Sequence, residues 1–212
     1  MKQSNKKKII DYLEELFEES KCELNFSTPF QLLVAVILSA QCTDKRVNMI
    51  TPILFQKFST PKDFATAKVE DIEEIIKPCG FFKNKAKNIK NASIQIIEYF
   101  NGELPTNVKD MMTLDGVGMK TAKVVCGQIY NADVIAVDTH VLRVTNRLGI
   151  VDEKDPNKCS VKLENEFKNN IKGIHHRLVL FGRYFCKARN PQCDDCKLKD
   201  ICKYYKNACN KK

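Results

Sequence analysis

Leu114-Asp115-Gly116-Val117-Gly118-Met119-Lys120-Thr121-Ala122 is the most informative stretch of this 212-residue chain. Two glycines two apart permit a tight turn and let backbone amides approach a ligand closely. The turn opens directly into a helical pattern, because Ala122, Val125, Cys126 and Ile129 recur at i, i+3, i+4 and i+7. Free amides at a helix N-terminus attract anions, and a DNA phosphate suits that position. A bare Gly-x-Gly is more often only a structural turn. Here it precedes a helix with Lys120 and Lys123 on the face read as polar, which favours a binding role.

Outward from this segment the same period continues. Apolar spacing predicts helices over roughly 6–19, 29–40, 45–58, 69–76, 84–100, 118–130, 139–148, 157–168 and 174–187, with Asp44, Asn84 and Asp138 near their starts as caps. Leu32 to Leu38 is unbroken apolar sequence, expected as a helix buried on all sides at the centre of a lobe. Val134 to Val137 is too short for a useful strand and reads as an extended linker; no alternating pattern is long enough for a sheet. The fold class is therefore all-α.

Charge points to a polyanionic partner without proving one: 35 Lys and Arg stand against 26 Asp and Glu, a net charge of +9. The basic N-terminus leads into Ile9-Ile10-Asp11-Tyr12-Leu13-Glu14-Glu15, an amphipathic acidic pattern without the apolar core of a signal peptide. The run Leu32–Leu38 is too short to span a bilayer. The expectation is a cytosolic protein, where ten cysteines are better read as metal-binding or catalytic than as a disulfide framework.

From Cys186 onward the helical period weakens and Lys, Asp, Asn and Pro dominate. Such a segment buries little apolar surface and needs a staple. Cys186, Cys193, Cys196 and Cys202 have six, two and five residues between them, close enough to converge on one centre. Structural zinc sites usually pair two close Cys knuckles, and only one close pair exists here; uneven four-thiolate spacing favours an iron–sulfur cluster while leaving zinc open. Cys126 reads as core packing, Cys209 as incidental, and His140, His175 and His176 are too scattered for a zinc site.

Leu-x-Gly-Val-Gly-x-Lys-Thr-Ala, followed by Val137-Asp138-Thr139-His140, resembles the helix-hairpin-helix motif and active site of the endonuclease III family. The likeness extends through Leu38-Ser39-Ala40-Gln41, Thr43-Asp44, Gly80-Phe81-Phe82, Lys85-Ala86, Asn146-Arg147-Leu148-Gly149 and Gly182-Arg183-Tyr184, nearly the whole chain. The resemblance implies that the four cysteines hold a 4Fe-4S cluster. It also implies two lobes: a helical barrel over 21–131, and a cluster domain built from 1–20 plus 132–212. Damaged double-stranded DNA would lie in a cleft where Lys120 and Asp138 face each other. A monomer without membrane attachment is expected, cytoplasmic and nucleoid-associated when bound to DNA.

The implied chemistry is removal of oxidised pyrimidines through a lysine Schiff base, followed by β-elimination that nicks the strand. Lys120 would be the nucleophile and Asp138 the carboxylate assisting proton transfer, although an Asp before a helix is equally an N-cap. A base inside a duplex must be flipped out and its gap filled. Gln41 matches the family's wedge, and an apolar loop at Phe81 could enter from the other side, whereas Phe82 reads as core. Gly116 and Gly118 would hold phosphate. Lys83, Lys85, Lys87 and Lys90 suit phosphate contacts or a solvated face equally well, and Lys187 and Arg189, inside the cysteine loop, are better candidates.

Two positions depart from the family's pattern. Asp115 stands where Pro is common, and an acid there either opposes phosphate or caps the turn. Phe82 stands where Tyr is frequent. The nearest enzymatic alternative, an adenine mismatch glycosylase, lacks the lysine and uses a Glu in the helix matching 29–40; no Glu occurs between Phe26 and Met49. A non-catalytic DNA-binding protein with a structural metal is the alternative from another class, and formation of a borohydride-trapped adduct separates the two.

Overall fold

The computed structural model describes residues 1–19 and 22–209, and among them every regular element is helical. In chain order these are α1 (Gln3–Leu16), α2 (Pro29–Ser39), α3 (Asp44–Lys57), α4 (Pro61–Thr66), α5 (Val69–Ile76), α6 (Phe82–Phe100), α7 (Val108–Met111), α8 (Met119–Ile129), α9 (Thr139–Leu148), α10 (Pro156–Phe167), α11 (Ile171–Leu180) and α12 (Lys203–Cys209). No described helix is long and apolar enough to cross a membrane. The chain divides into two compact units, Cys22–Ala132 and Met1–Lys21 with Asp133–Lys212.

In the unit Cys22–Ala132, α2 is the axis. Every residue from Phe30 to Leu38 is buried, as the unbroken apolar run requires. The helix starts where Thr28 accepts from the Gln31 amide and Pro29 takes a first-turn position that has no partner for an N–H. Around it pack α3, α6 and α8, with Leu54, Ile89, Val125 and Cys126 closing the core. Each such side chain contributes roughly 1.5–3 kcal/mol on burial. Truncating Leu33, which is fully buried, should cost about 2–5 kcal/mol.

The other unit packs α1 against α11 and α9 against α11 and α12. Ile9, Leu13, Val141, Val144, Leu163, Phe167 and Leu178 form its centre. Helix α11 does not end at Leu180 but widens into a π-helical turn, Phe181–Phe185, ending at Cys186. Phe181 stacks on Phe185 with centroids 5.2 Å apart, and Tyr12 stands edge-on to both. The wide turn thus aims the first cysteine of the cluster segment from a packed aromatic base.

Most of the expected helices match within two residues, whereas α1 lies three residues earlier than 6–19 and α11 starts three residues before 174; Val134–Val137 is extended without strand pairing. Two of the expected caps are displaced. Thr43 caps α3 by accepting from the Arg46 amide, with Asp44 inside the first turn, and α6 begins after Phe81 rather than at Asn84. Asp138 does cap α9. The short α4, α7 and α12 carry too few residues to show a period. Two of them have readable starts, α4 at the Thr60/Asp63 capping box and α7 at the Asn107 cap. Lys123 is buried on α8, not on its polar face, because it follows Ala122 onto the side that packs inward.

Candidate active site and metal centre

The glycine hairpin is built by Gly116, whose φ of +76° favours glycine. Space demands it too: a Cβ there would come within 2.7 Å of the Asn88 Cβ on α6. Gly118 is a different case. Its φ of −86° suits any residue, and a Cβ would meet nothing within 4 Å. It serves as the cap residue of α8, and no side chain satisfies the first amides of that helix. The result is an exposed helix N-terminus with its amides uncovered, where an anion is favoured. Lys120 lies in this first turn with its side chain exposed.

Asp115 does not compete for that position. Its carboxylate accepts from the Asn91 side-chain amide at 2.8 Å and the Gln95 amide at 3.2 Å, and its own backbone N–H donates to Gln95 at 2.8 Å. The acid is turned onto α6 and clamps the hairpin to it. Of the two readings open from sequence, the turn-fixing one describes the structure.

Gln41 and Phe81 are both exposed and both left-handed, with φ of 53° and 48°. Phe81 leaves 66% of its surface to solvent, whereas Phe82 packs partly buried against the core. The lysines after them are not one phosphate-facing set. Lys83 and Lys87 are exposed. Lys90 donates to the Ala67 carbonyl at 2.6 Å, and Lys85 is buried with its ammonium on three carbonyls.

In the other unit, Asp138 follows the buried Ile135-Ala136-Val137 segment, which Ser160 and Glu164 hold through the Ile135 backbone. Its Oδ1 accepts from the Val141 amide at 2.8 Å. The group is half-buried, so one carboxylate oxygen is committed to the helix. His140 faces Arg143 through Nδ1 at 3.3 Å and closes on Gly182, where a Cβ would lie 2.7 Å from its own. That is a packing role.

Cys186, Cys193, Cys196 and Cys202 line one cavity together with Leu148, Phe181 and Phe185. Burial raises the Cys193 and Cys196 thiols; Cys186 and Cys202 push both further, and Cys193 adds to the effect on Cys196. Among the described residues no three potential ligands converge closely enough to form a ligand set on distance alone; the shared cavity and the mutual electrostatic effect are what join them. Lys199 also lines this cavity, and two arginines bond to the segment that begins it. Arg143 donates to the Gly182 and Cys186 carbonyls, and Arg147 to the Lys187 and Ala188 carbonyls and to the Cys186 sulfur at 3.5 Å. An all-cysteine donor set in a partly apolar cavity with a nearby guanidinium fits an anionic iron–sulfur group. Lys187 and Arg189 are exposed on the loop that Arg147 fixes. Sequence reading did not single out Asn91, Gln95 or Arg143, and it gave Lys85 and Arg147 no such structural role. Only the arginines left a trace, as an i, i+4 pair on one helix.

Residues 34–169 match the family described as HhH-GPD superfamily base excision DNA repair protein, and 186–202 match the iron–sulfur binding domain of endonuclease III. The chain is 44% identical over 199 residues to endonuclease III of Bacillus subtilis strain 168, covering 92% of this chain and 90% of that protein. It is 40% identical over 204 residues to endonuclease III of Escherichia coli K12, covering 94% and 97%. A solved trapped endonuclease III–DNA covalent intermediate superposes with a TM-score of 0.92 at 39% identity, covering 99% of both chains. A thermostable thymine-DNA glycosylase shares the fold, with a TM-score of 0.86 at 21% identity and coverage of 96% and 98%.

Proposed function

The chain belongs to the endonuclease III family of base excision DNA repair proteins and is a DNA glycosylase with AP lyase activity carrying a 4Fe-4S cluster; from that premise we propose that it removes oxidised pyrimidines from damaged double-stranded DNA, with Lys120 as nucleophile and Asp138 as assisting carboxylate. The observation that carries the reading is the setting of Lys120: exposed, in the first turn of α8, beside amides that no side chain caps. A phosphate drawn to Gly116 and Gly118 brings the deoxyribose to the amine.

Lys120 Nζ attacks the sugar C1′ and the bond from C1′ to the base breaks, the base leaving with its electron pair. Opening of the sugar ring gives a Schiff base. Loss of a C2′ proton then expels the 3′ phosphate, which cleaves the strand, and water releases the lysine. The Lys120 ammonium first gives up a proton, which frees the lone pair for attack; Asp138 assists that proton transfer and offsets positive charge on the sugar. It keeps one oxygen on the Val141 amide and the other available. Gln41 and Phe81 fill the gap left by the extruded base, supported by their exposure on left-handed turns. Lys187 and Arg189 contact phosphate. Cys186, Cys193, Cys196 and Cys202 ligate the cluster, which staples a segment with little apolar surface of its own. The protein acts as a cytoplasmic monomer without membrane attachment, nucleoid-associated while bound to DNA.

Incubation with a duplex bearing a thymine glycol or an abasic site, read on a denaturing gel, tests this. Strand cleavage ending in the β-elimination product is expected with wild type and absent with Lys120→Gln. Base release without any nick would refute the lysine mechanism.

A further inference from the structure

Lys85 is the most deeply committed cation among the described residues of its unit: 5% exposed, with three carbonyls around one ammonium. It donates to Leu38 O at 2.8 Å, Ala40 O at 2.7 Å and Cys79 O at 2.9 Å. An ammonium has three N–H groups, so none remains for DNA. Burial pulls its pKa below the usual lysine value, with Cys79 and Cys42 nearby acting the other way. The position is favourable for a cation because α2 ends there with carbonyls that lack a helical donor, at the negative end of its dipole.

What lies next to those carbonyls gives the contact its meaning. Ala40 immediately precedes Gln41, and Cys79 is separated from Phe81 only by Gly80. Gln41 projects from a left-handed residue directly after one carbonyl that Lys85 holds, and Phe81 from a left-handed residue two positions after another. Arg46 adds an outer tie, donating to Pro78 O at 3.3 Å. The two turns come from segments forty residues apart and share one buried cation as their common support.

We propose that Lys85 is a positioning residue for base extrusion, holding the turns that carry Gln41 and Phe81 as one preorganised unit. This rests on the reading of those two side chains as gap fillers. It acts on no reacting atom. Its loss should therefore weaken steps that need the duplex opened and spare the lyase chemistry on a sugar already accessible. A misplacement of about 1 Å at such a pair costs up to about 100-fold.

The test compares Lys85→Met with wild type on two substrates: a lesion duplex carrying 2-aminopurine beside the damaged base, and a single-stranded abasic oligonucleotide. The expected result is a roughly 10–100-fold loss in kcat/KM on the duplex with a matching loss of the fluorescence rise, and single-stranded nicking within about twofold. Gln41→Ala and Phe81→Ala are run in parallel. If neither reduces the fluorescence rise, the gap-filler reading fails. If they do and Lys85→Met does not, the positioning role fails while that reading stands. Equal losses on both substrates also overturn the proposal. Lys85→Arg keeps the charge but replaces a three-pronged donor with a planar fork. It is measured in the same way should the Met variant not fold, and full duplex activity in it would contradict the proposal. Adding Phe81→Ala to Lys85→Met should multiply no further loss, as expected for groups acting together.

Discussion

Asp138 carries two roles that one pair of substitutions can separate. As the N-cap of α9 it accepts from the Val141 amide at 2.8 Å, and that helix buries Val141, Val144, Thr145 and Leu148 in its unit. Asp138→Ala removes the acceptor and leaves the amide unpaired, a loss of about 0.5–2 kcal/mol. For a chain of this size, each kcal/mol is worth about 2–4 °C in Tm. Asp138→Asn keeps an oxygen in the same place and caps equally well, so its Tm should fall by no more than about 1 °C. Catalysis should respond differently. An amide cannot take a proton or balance a cationic sugar, and both variants should lose roughly 100–10,000-fold in single-turnover nicking of an abasic duplex. The assay pairs thermal denaturation with that single-turnover rate. Asn with near wild-type activity would reduce Asp138 to a cap, and Asn melting as low as Ala would remove the cap from the explanation.

Other outcomes follow from the hairpin and the buried thiols. Gly116→Ala forces an L-residue into the left-handed region and against Asn88, and should cost about 1–3 kcal/mol in denaturant unfolding; pairing it with Asn88→Ala should recover the steric part only. Asp115→Ala frees the amides of Asn91 and Gln95 and should lower stability by about 1–3 kcal/mol. Because the carboxylate is turned onto α6, the salt dependence of DNA binding should stay unchanged; a shallower slope in wild type than in the variant would mean the acid does oppose phosphate. Burial pushes the Cys79 and Cys126 thiols up to about 11, with Cys42 contributing at Cys79. In the folded protein at pH 8 both should resist iodoacetamide while unfolded chains label, and rapid labelling of either in the fold would contradict its burial.

Periodicity made the long helices legible because a stripe of apolar residues must meet a core, and α2, apolar all round, revealed its central position for the same reason. Short helices were silent, since four to seven residues span too few turns to repeat. Lys85 and Lys123 show the limit for charged residues: a lysine within an amphipathic helix reads as solvated, and only the three carbonyls around Lys85 make its burial tolerable. Asp115 shows a related limit. Its type suggested repulsion of phosphate, but partners twenty and twenty-four residues away decide where its charge points. The two glycines looked equivalent and are not, because only Gly116 has a positive φ and a neighbour in the space of its Cβ.

The central claim is that the amine of Lys120 bonds to a sugar carbon. Borohydride reduction of the enzyme on an abasic or thymine glycol duplex, followed by proteolysis and mass mapping of the cross-linked peptide, tests it most directly. The account predicts one reduced adduct, attached at position 120 and lost in Lys120→Gln. An adduct on any other lysine or on the N-terminal amine, or trapping undiminished in that variant, would contradict it.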